Sequence, residues 1–268
     1  MNQLRKYFVF AVLVLSACIL YVLKSKTNEP APTTRTVTLP KIEIEEEARG
    51  NIVIIIDDFG YRDDNVSEGF LLLDANLTFA VIPGHHNSKV FAAKAEQRGF
   101  EVIVHMPMES TTKTPGEKEY MLSTSMTSSE IENRVERVIA EFPEAVGMNN
   151  HQGSKATADK RIMNIVSNIL KRHGKYFIDS RTTAETVAET TMRSRGIPTM
   201  RRHVFLDNEN KKIKIREQLY KLVDKAESKG LGVGIGHAKL NTFEVLKEEI
   251  PKLKEDGFKF RFASFSVE

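Results

Sequence analysis

The sequence predicts an α/β fold of parallel strands closed, or nearly closed, into a barrel, with a doubly wound open sheet as the second choice. Three observations lead there. After residue 50, apolar runs alternate with helix-like stretches about seven times. The first run, Ile52-Val53-Ile54-Ile55-Ile56, is apolar at every position, as a strand covered on both faces requires. Asp, His and Asn residues stand directly after several of these runs, and in a parallel barrel such positions share one face.

The elements follow in order. The first strand leads through a polar turn into an amphipathic stretch reaching Asp74, and Leu77 to Ile82 is the second strand, stopped by Pro83-Gly84. Ser88 to Arg98 reads as a helix closed by Gly99, and Phe100 to Val104 as the third strand. Met106 to Met126 is too long for an ordinary strand-to-helix loop, and loops of that length are often functional. Ser129 and Glu132 are placed as a capping box opening a helix to about Glu141. Ala145 to Met148 is the fourth strand, Asp159 to His173 a helix, and Tyr176 to Ile178 the fifth strand. A helix to about Arg195 precedes a sixth strand within Ile197 to Leu206. Ile213 to Lys229 is helical, Leu231 to Ile235 is the seventh strand, Thr242 to Asp256 is helical, and Phe258 to Phe262 offers an eighth strand. Gly230, Gly232, Gly234 and Gly236 alternate along the seventh strand, which points to close packing on one face rather than a dinucleotide fingerprint.

The chain carries 39 Lys plus Arg and 36 Asp plus Glu, but the surplus is local. Arg5, Lys6, Lys24 and Lys26 fall in residues 1–26, which hold no acid, and the remainder has 35 basic and 36 acidic residues. A nucleic-acid-binding body would show a basic surplus, so that class is set aside. Tyr7 to Leu23 is a 17-residue run without a charge, long enough to read as an uncleaved anchor with its basic tail inside. The rival is a lipobox, Leu15-Ser16-Ala17-Cys18, lipidated at Cys18. Either reading places the body outside the cytoplasm. Residues 27–50 are a polar linker ending in an acidic cluster, and 51–268 form the folded domain. Cys18 is the lone cysteine, so an intrachain disulfide is excluded.

The polar residues at the strand ends carry the chemistry: Asp57 and Asp58, His105, Asn149 to His151 with Ser154, Asp179 to Arg181, Asp207, and His237. Two histidines and a carboxylate suit a zinc site with open positions, and equally non-haem iron. A nearly buried His105 needs a hydrogen bond or a metal. His237 is placed for proton transfer. His85 and His86 read as an exposed loop, and His203 receives no role.

Several blocks resemble one family: Ile54 to Gly60, His105-Met106-Pro107-Met108, Asn149 to Ser154, Phe177 to Thr182, Val204 to Asn208 and Gly234-Ile235-Gly236-His237. They are similar to the divergent polysaccharide deacetylases, the YibQ-like branch of the NodB-homology carbohydrate esterases. The resemblance implies a distorted (β/α) barrel of about seven parallel strands and a divalent metal, zinc as first choice, held by one Asp and two His. It implies Asp57 as catalytic base, Asp58 as metal ligand and His237 as the final catalytic histidine. The family's better-studied members take both histidines from one H-x-x-x-H stretch; here Glu109 stands four residues after His105, and His151 would supply the second. Asp179 and Arg181 would orient the base, with Asn150, Ser154 and Asp207 as supporting or substrate-binding groups. The expected function is deacetylation of an acetylated envelope glycan. A non-catalytic envelope protein with a sugar- or metal-binding barrel is the alternative, and a phosphodiesterase ranks third.

Overall fold

Strand β1 (Gly50–Phe59) is the central strand of the fold, because its apolar run leaves no face for solvent. In this computed structural model the described residues are 15–17, 19–21, 24, 48–112 and 116–267. They fall in two units, residues 1–46 and 47–268. Of the first, only short helical pieces between residues 15 and 24 are described. The anchor reading of Tyr7 to Leu23 and the lipidation reading of Cys18 therefore lie largely outside the described residues. Among the described residues no helix is long and apolar enough to cross a membrane.

The second unit carries β2 (Thr78–Val81), β3 (Glu101–Met108), β4 (Gly147–Gln152), β5 (Tyr176–Asp179), β6 (Thr199–Arg201), β7 (Val204–Phe205), β8 (Leu231–His237) and β9 (Phe258–Arg261). Every pairing is parallel, in the order β6-β5-β4-β3-β2-β1-β8-β7. With β8 along one edge of β1, β2 takes the upper part of the other edge and β9 the lower. The longer connections are α1 (Asn65–Phe70), α2 (Ser88–Gln97), α3 (Ser128–Glu141), α4 (Lys160–Arg172), α5 (Ala188–Ser194), α6 (Lys212–Lys229) and α7 (Leu240–Glu255). The sheet is a nearly closed, distorted (β/α) barrel.

The single sixth strand expected over Ile197 to Leu206 is two short ones. The chain changes partner midway: Arg202 donates its backbone N–H to Asp179 O at the end of β5, and His203 donates to Val233 O on β8. This crossing spans the gap between the sheet's two outer strands. His203 also accepts the Val233 N–H on Nδ1 at 3.1 Å, so it is a structural residue of the crossing.

Strand periodicity sorts the side chains. Ile52, Ile54 and Ile56 belong to the cluster under the helices, whereas Val53 and Ile55 belong to a smaller one with Ile103, Ile178, Val233 and Ile235 inside the barrel. Continuing each strand by two residues gives Asp57 after Ile55, His105 after Ile103 and His237 after Ile235. The inner face thus turns from apolar to ionisable at the strands' C-terminal ends. On the outer face of β8 a Cβ at Gly232 would lie 2.6 Å from Leu222 O, so the glycines let α6 pack against the strand.

Three boundaries differ from the sequence reading. The capping box is Thr127 with Glu130, so α3 starts ahead of the Ser129–Glu132 pair. β3 continues through Met108, and the insertion starts at Glu109. β4 begins and ends later than Ala145–Met148, which puts Asn149, Asn150 and His151 in the strand itself.

Candidate active site

Asp57 pairs in register with His237, His105 with Asn149, and Pro107 with His151. Parallel pairing therefore brings residues far apart in sequence to one height. Asp58 follows Asp57 directly and would face the helices in a regular strand. It has φ 70°, and the β1–β2 register shifts between Ile56 and Phe59. This bulge turns both carboxylates toward one site.

Asp58 Oδ1 stands 3.3 Å from His105 Nε2 and 3.2 Å from His151 Nδ1, and the two ring nitrogens are 3.0 Å apart. Three ligands of a tetrahedral ion bound at roughly 2.0–2.1 Å would be spaced about 3.3 Å apart, so this triangle fits one face of such a site. Asp58 Oδ1 is shut off from solvent and has no hydrogen-bond partner, an open valence that a cation would satisfy. Burial pushes the Asp58 carboxyl up, but the two imidazoles beside it outweigh burial and hold it well below the usual range.

Asn149 organises the floor. Its Nδ2 donates to Asp57 Oδ1 at 2.8 Å, which turns its Oδ1 to the Nδ1–H of His105 at 2.7 Å. With Nδ1–H held by Asn149, Nε2 is the nitrogen that points into the triangle, able to ligate a cation once its own proton is displaced. Burial lowers the affinity of His105 for a proton, but Asp57 and then Asp58 lift it to about 9. Asp57 is raised by burial, against the opposing pull of His105 and His237.

His237 is anchored on the other side. Its Nδ1–H faces Asp207 Oδ1 at 2.7 Å, its backbone N–H donates to Asp207 Oδ2 at 3.0 Å, and Thr242 donates to that oxygen at 2.9 Å. Nε2 is thereby presented toward Asp58, 3.9 Å from its Oδ2. Burial disfavours the charged ring, but Asp207 reverses this and leaves His237 raised. His237 lines two cavities, one of about 390 Å³ toward Arg181 and Phe205 and one of about 250 Å³ toward Tyr61 and Lys239.

The other expected residues are placed differently. Asp179 Oδ1 accepts the backbone N–H of Arg181 at 2.9 Å, and its Oδ2 accepts from Thr186 at 2.9 Å; it shapes the turn after β5 rather than touching Asp57. Arg181 lines the larger cavity, and its guanidinium makes no bond to Asp57. Asn150 also lines the larger cavity; its Oδ1 accepts from Ser180 N, and its amide donates to Gln152 O. Ser154 accepts the Thr111 backbone N–H at 2.9 Å and braces the insertion, outside both cavities at the site.

Glu109 is no ligand. Its carboxylate accepts from Ser123, from Thr124 twice and from Lys155, at 2.7 to 2.9 Å, and so ties the insertion down. His85 is half-buried rather than exposed, and its Nε2 bonds Glu117 Oε1 at 2.8 Å. Glu117 also accepts from Tyr61 at 2.7 Å and approaches His151 Nε2 to 4.0 Å. Asp58, Glu117, Gln152 and Arg181 are the non-glycine residues at positive φ among the described residues, and all lie at the site or its edge.

The sequence profile of the divergent polysaccharide deacetylases matches residues 54–266. The chain belongs to that family. The chain is 36% identical over 207 residues to the uncharacterized protein YibQ of Escherichia coli K12, covering 77% of this chain and 64% of that protein. The chain thus spans just under two thirds of that relative's length. Among solved structures it is similar to an uncharacterized protein from Agrobacterium tumefaciens C58, with TM-score 0.77 and 18% identity over 83% of this chain and 91% of the other. It also shares its fold with a mutant of a CE4 family pseudoenzyme from Bacillus anthracis whose enzymatic activity was restored. There the TM-score is 0.51 and the identity 15%, over 81% of this chain and 66% of the other.

In this deacetylase-family chain, Asp57, Asp58, His105, His151, Asp207 and His237, all singled out in the sequence, lie together in the fold. Sequence reading missed Glu117 and Tyr61. Glu117 sits in a polar stretch with no periodicity to single it out. Asn149 was noticed only as part of its run; its place opposite His105 emerges from the β3–β4 register.

Proposed function

We propose that the chain is a metal-dependent hydrolase removing acetyl groups, from amide or ester positions, from a cell-envelope polysaccharide or glycan. Asp58, His105 and His151 would hold the divalent cation, zinc first among the candidates. The observation that carries this reading is the unpartnered Asp58 Oδ1 facing two imidazole nitrogens, with a carboxylate on one side and an anchored histidine on the other. A cation bound there would polarise the acetyl carbonyl and make water more acidic.

Asp57 acts as the base. Its Oδ1 is engaged by Asn149, which leaves Oδ2 to take a proton from the attacking water. His237 acts as the acid and gives a proton from Nε2 to the departing nitrogen or oxygen. Asp207 holds the ring's orientation and compensates its charge. Water oxygen bonds to the acetyl carbon, the bond from that carbon to the sugar's nitrogen or oxygen breaks, and acetate leaves. Family membership supports this reaction class. The uncharged run from Tyr7 to Leu23 supports an envelope location, anchored in the inner membrane with the domain outside the cytoplasm, or else lipidated at Cys18.

The alternative, a non-catalytic envelope protein, draws on the pseudoenzyme among the fold neighbours and on Glu109 in place of a ligand. His151 supplies the missing vertex from β4, which favours the deacetylase. The test is acetate release from a panel of N- and O-acetylated glycans by the zinc-loaded protein, with Asp57→Asn as control. Release that depends on Asp57 is expected; a zinc-loaded protein inert on the whole panel would overturn the reading.

A further inference from the structure

The larger cavity at the site, about 390 Å³, lies near the lower end of the usual range for small-molecule sites. Its lining includes two guanidinium groups, Arg181 and Arg202, but a single acid, Asp57, which Asn149 and His105 already face. Arg181 extends from a backbone with φ 51°, a conformation that costs a non-glycine residue free energy. Its backbone N–H is bonded, but among the described residues its guanidinium has neither a hydrogen bond nor an ion pair.

Arg202 is fixed in place. Its Nε donates to Ser180 O at 2.8 Å, its Nη2 donates to Arg181 O at 3.1 Å, and its carbon stands 4.7 Å over the Phe205 ring. The Phe205 ring lies 5.3 Å from that of His237, so this charge belongs to the same wall as the proposed acid. These bonded partners are neutral carbonyls; the Asp57 and Asp179 carboxylates act on the charge through space, without a bond to it. Arg201, its neighbour, instead faces Glu189 at 3.6 Å. A half-buried guanidinium held by carbonyls, beside an unpaired one, is arranged to receive a planar or tetrahedral oxyanion.

We propose that Arg181 and Arg202 form an oxyanion subsite beside the reacting acetyl group, so that the preferred substrate is an acidic acetylated saccharide. The anion is a carboxylate or phosphate on the acetylated sugar or the unit next to it. The inference rests on the deacetylase reading for the saccharide, and on the two arginines for the charge. It makes Arg181 and Arg202 specificity-determining residues.

The test compares matched ligands on the zinc-loaded full-length protein. Binding by calorimetry and acetate release are both measured for hyaluronan tetrasaccharide, which carries carboxylates and N-acetyl groups, and for its carboxyl-reduced form. N-acetylglucosamine 6-phosphate against N-acetylglucosamine provides the phosphate arm. At least one anionic member should bind about ten- to hundredfold tighter than its neutral match, the preference weakening with salt. The arm that shows it identifies the anion. In Arg181→Gln, whose lost group holds no structural bond, the ratio should fall toward one. Arg202→Lys, which keeps the charge but loses the fork, should reduce it less. Equal binding within both pairs, or a preference unchanged in Arg181→Gln, overturns the inference. Acetate released equally from charged and neutral forms would remove the subsite and leave the deacetylase standing. An Arg181-dependent binding preference without any acetate release would retain the subsite and remove the deacetylase.

Discussion

Asn149 donates its side-chain N–H to Asp57 Oδ1 across 2.8 Å, inside the barrel and shielded from water. The same amide accepts from His105, so one residue sets the proposed base and one ligand together. Asn149→Ala should therefore weaken zinc binding about ten- to hundredfold, the usual effect of removing a ligand's supporting partner. It should also cost roughly 1–3 kcal/mol of stability through the buried groups it leaves unpaired. Zinc titration and urea unfolding of the metal-free protein check the two effects separately.

His151 and Glu109 should behave oppositely. His151→Ala removes a vertex of the triangle and should abolish tight zinc binding. Glu109→Ala should leave zinc affinity within about twofold, because that carboxylate is engaged by Ser123, Thr124 and Lys155, yet should make the insertion more open to proteolysis. Competition with a chromogenic chelator and limited proteolysis would show both.

Glu109 also predicts an acid limb in stability. Burial would raise its carboxyl, but Lys155, Thr124 and Ser123 hold it at about 2. An unfolded glutamate titrates near ~4.3, so the folded state binds this proton less readily. The contribution is fully present above ~pH 4.3 and is lost as pH falls toward ~2. The stability difference between the metal-free wild type and Glu109→Gln should stay constant at higher pH and shrink through that window. A difference unchanged at about pH 2.5 would contradict the assignment.

Asp207→Asn leaves the shape of the His237 anchor but removes the charge that supports a protonated ring. The acetate-releasing kcat should fall by about 10²–10⁴ while zinc affinity is retained. Parallel loss of zinc would mean that His237 belongs to the metal site instead.

Much of this arrangement was legible because strand periodicity carries it. Ile55, Ile103 and Ile235 each precede, by two residues, the ionisable group that closes the barrel interior, and the apolar runs mark those strands clearly. The bulge that turns Asp58 leaves no periodic mark, so both carboxylates at one site followed from their place at a strand end beside the histidines, and from the family resemblance. Ser154 and Asp179 lie next to functional residues in sequence but take up turn and loop hydrogen bonds, a distinction that local pattern does not encode. The split between β6 and β7 depends on a change of strand partner at Arg202 and His203. Glu117 gains its place through Tyr61 and His85, distant residues that no spacing rule connects to it.

The central claim is that Asp58, His105 and His151 share one divalent cation. Anomalous diffraction at the zinc edge from crystals of the zinc-loaded protein tests it most directly. The account predicts one strong peak bonded to Asp58 Oδ1, His105 Nε2 and His151 Nδ1, each at about 2.0–2.2 Å. No peak within that triangle, or a zinc ion held by other residues, would contradict it.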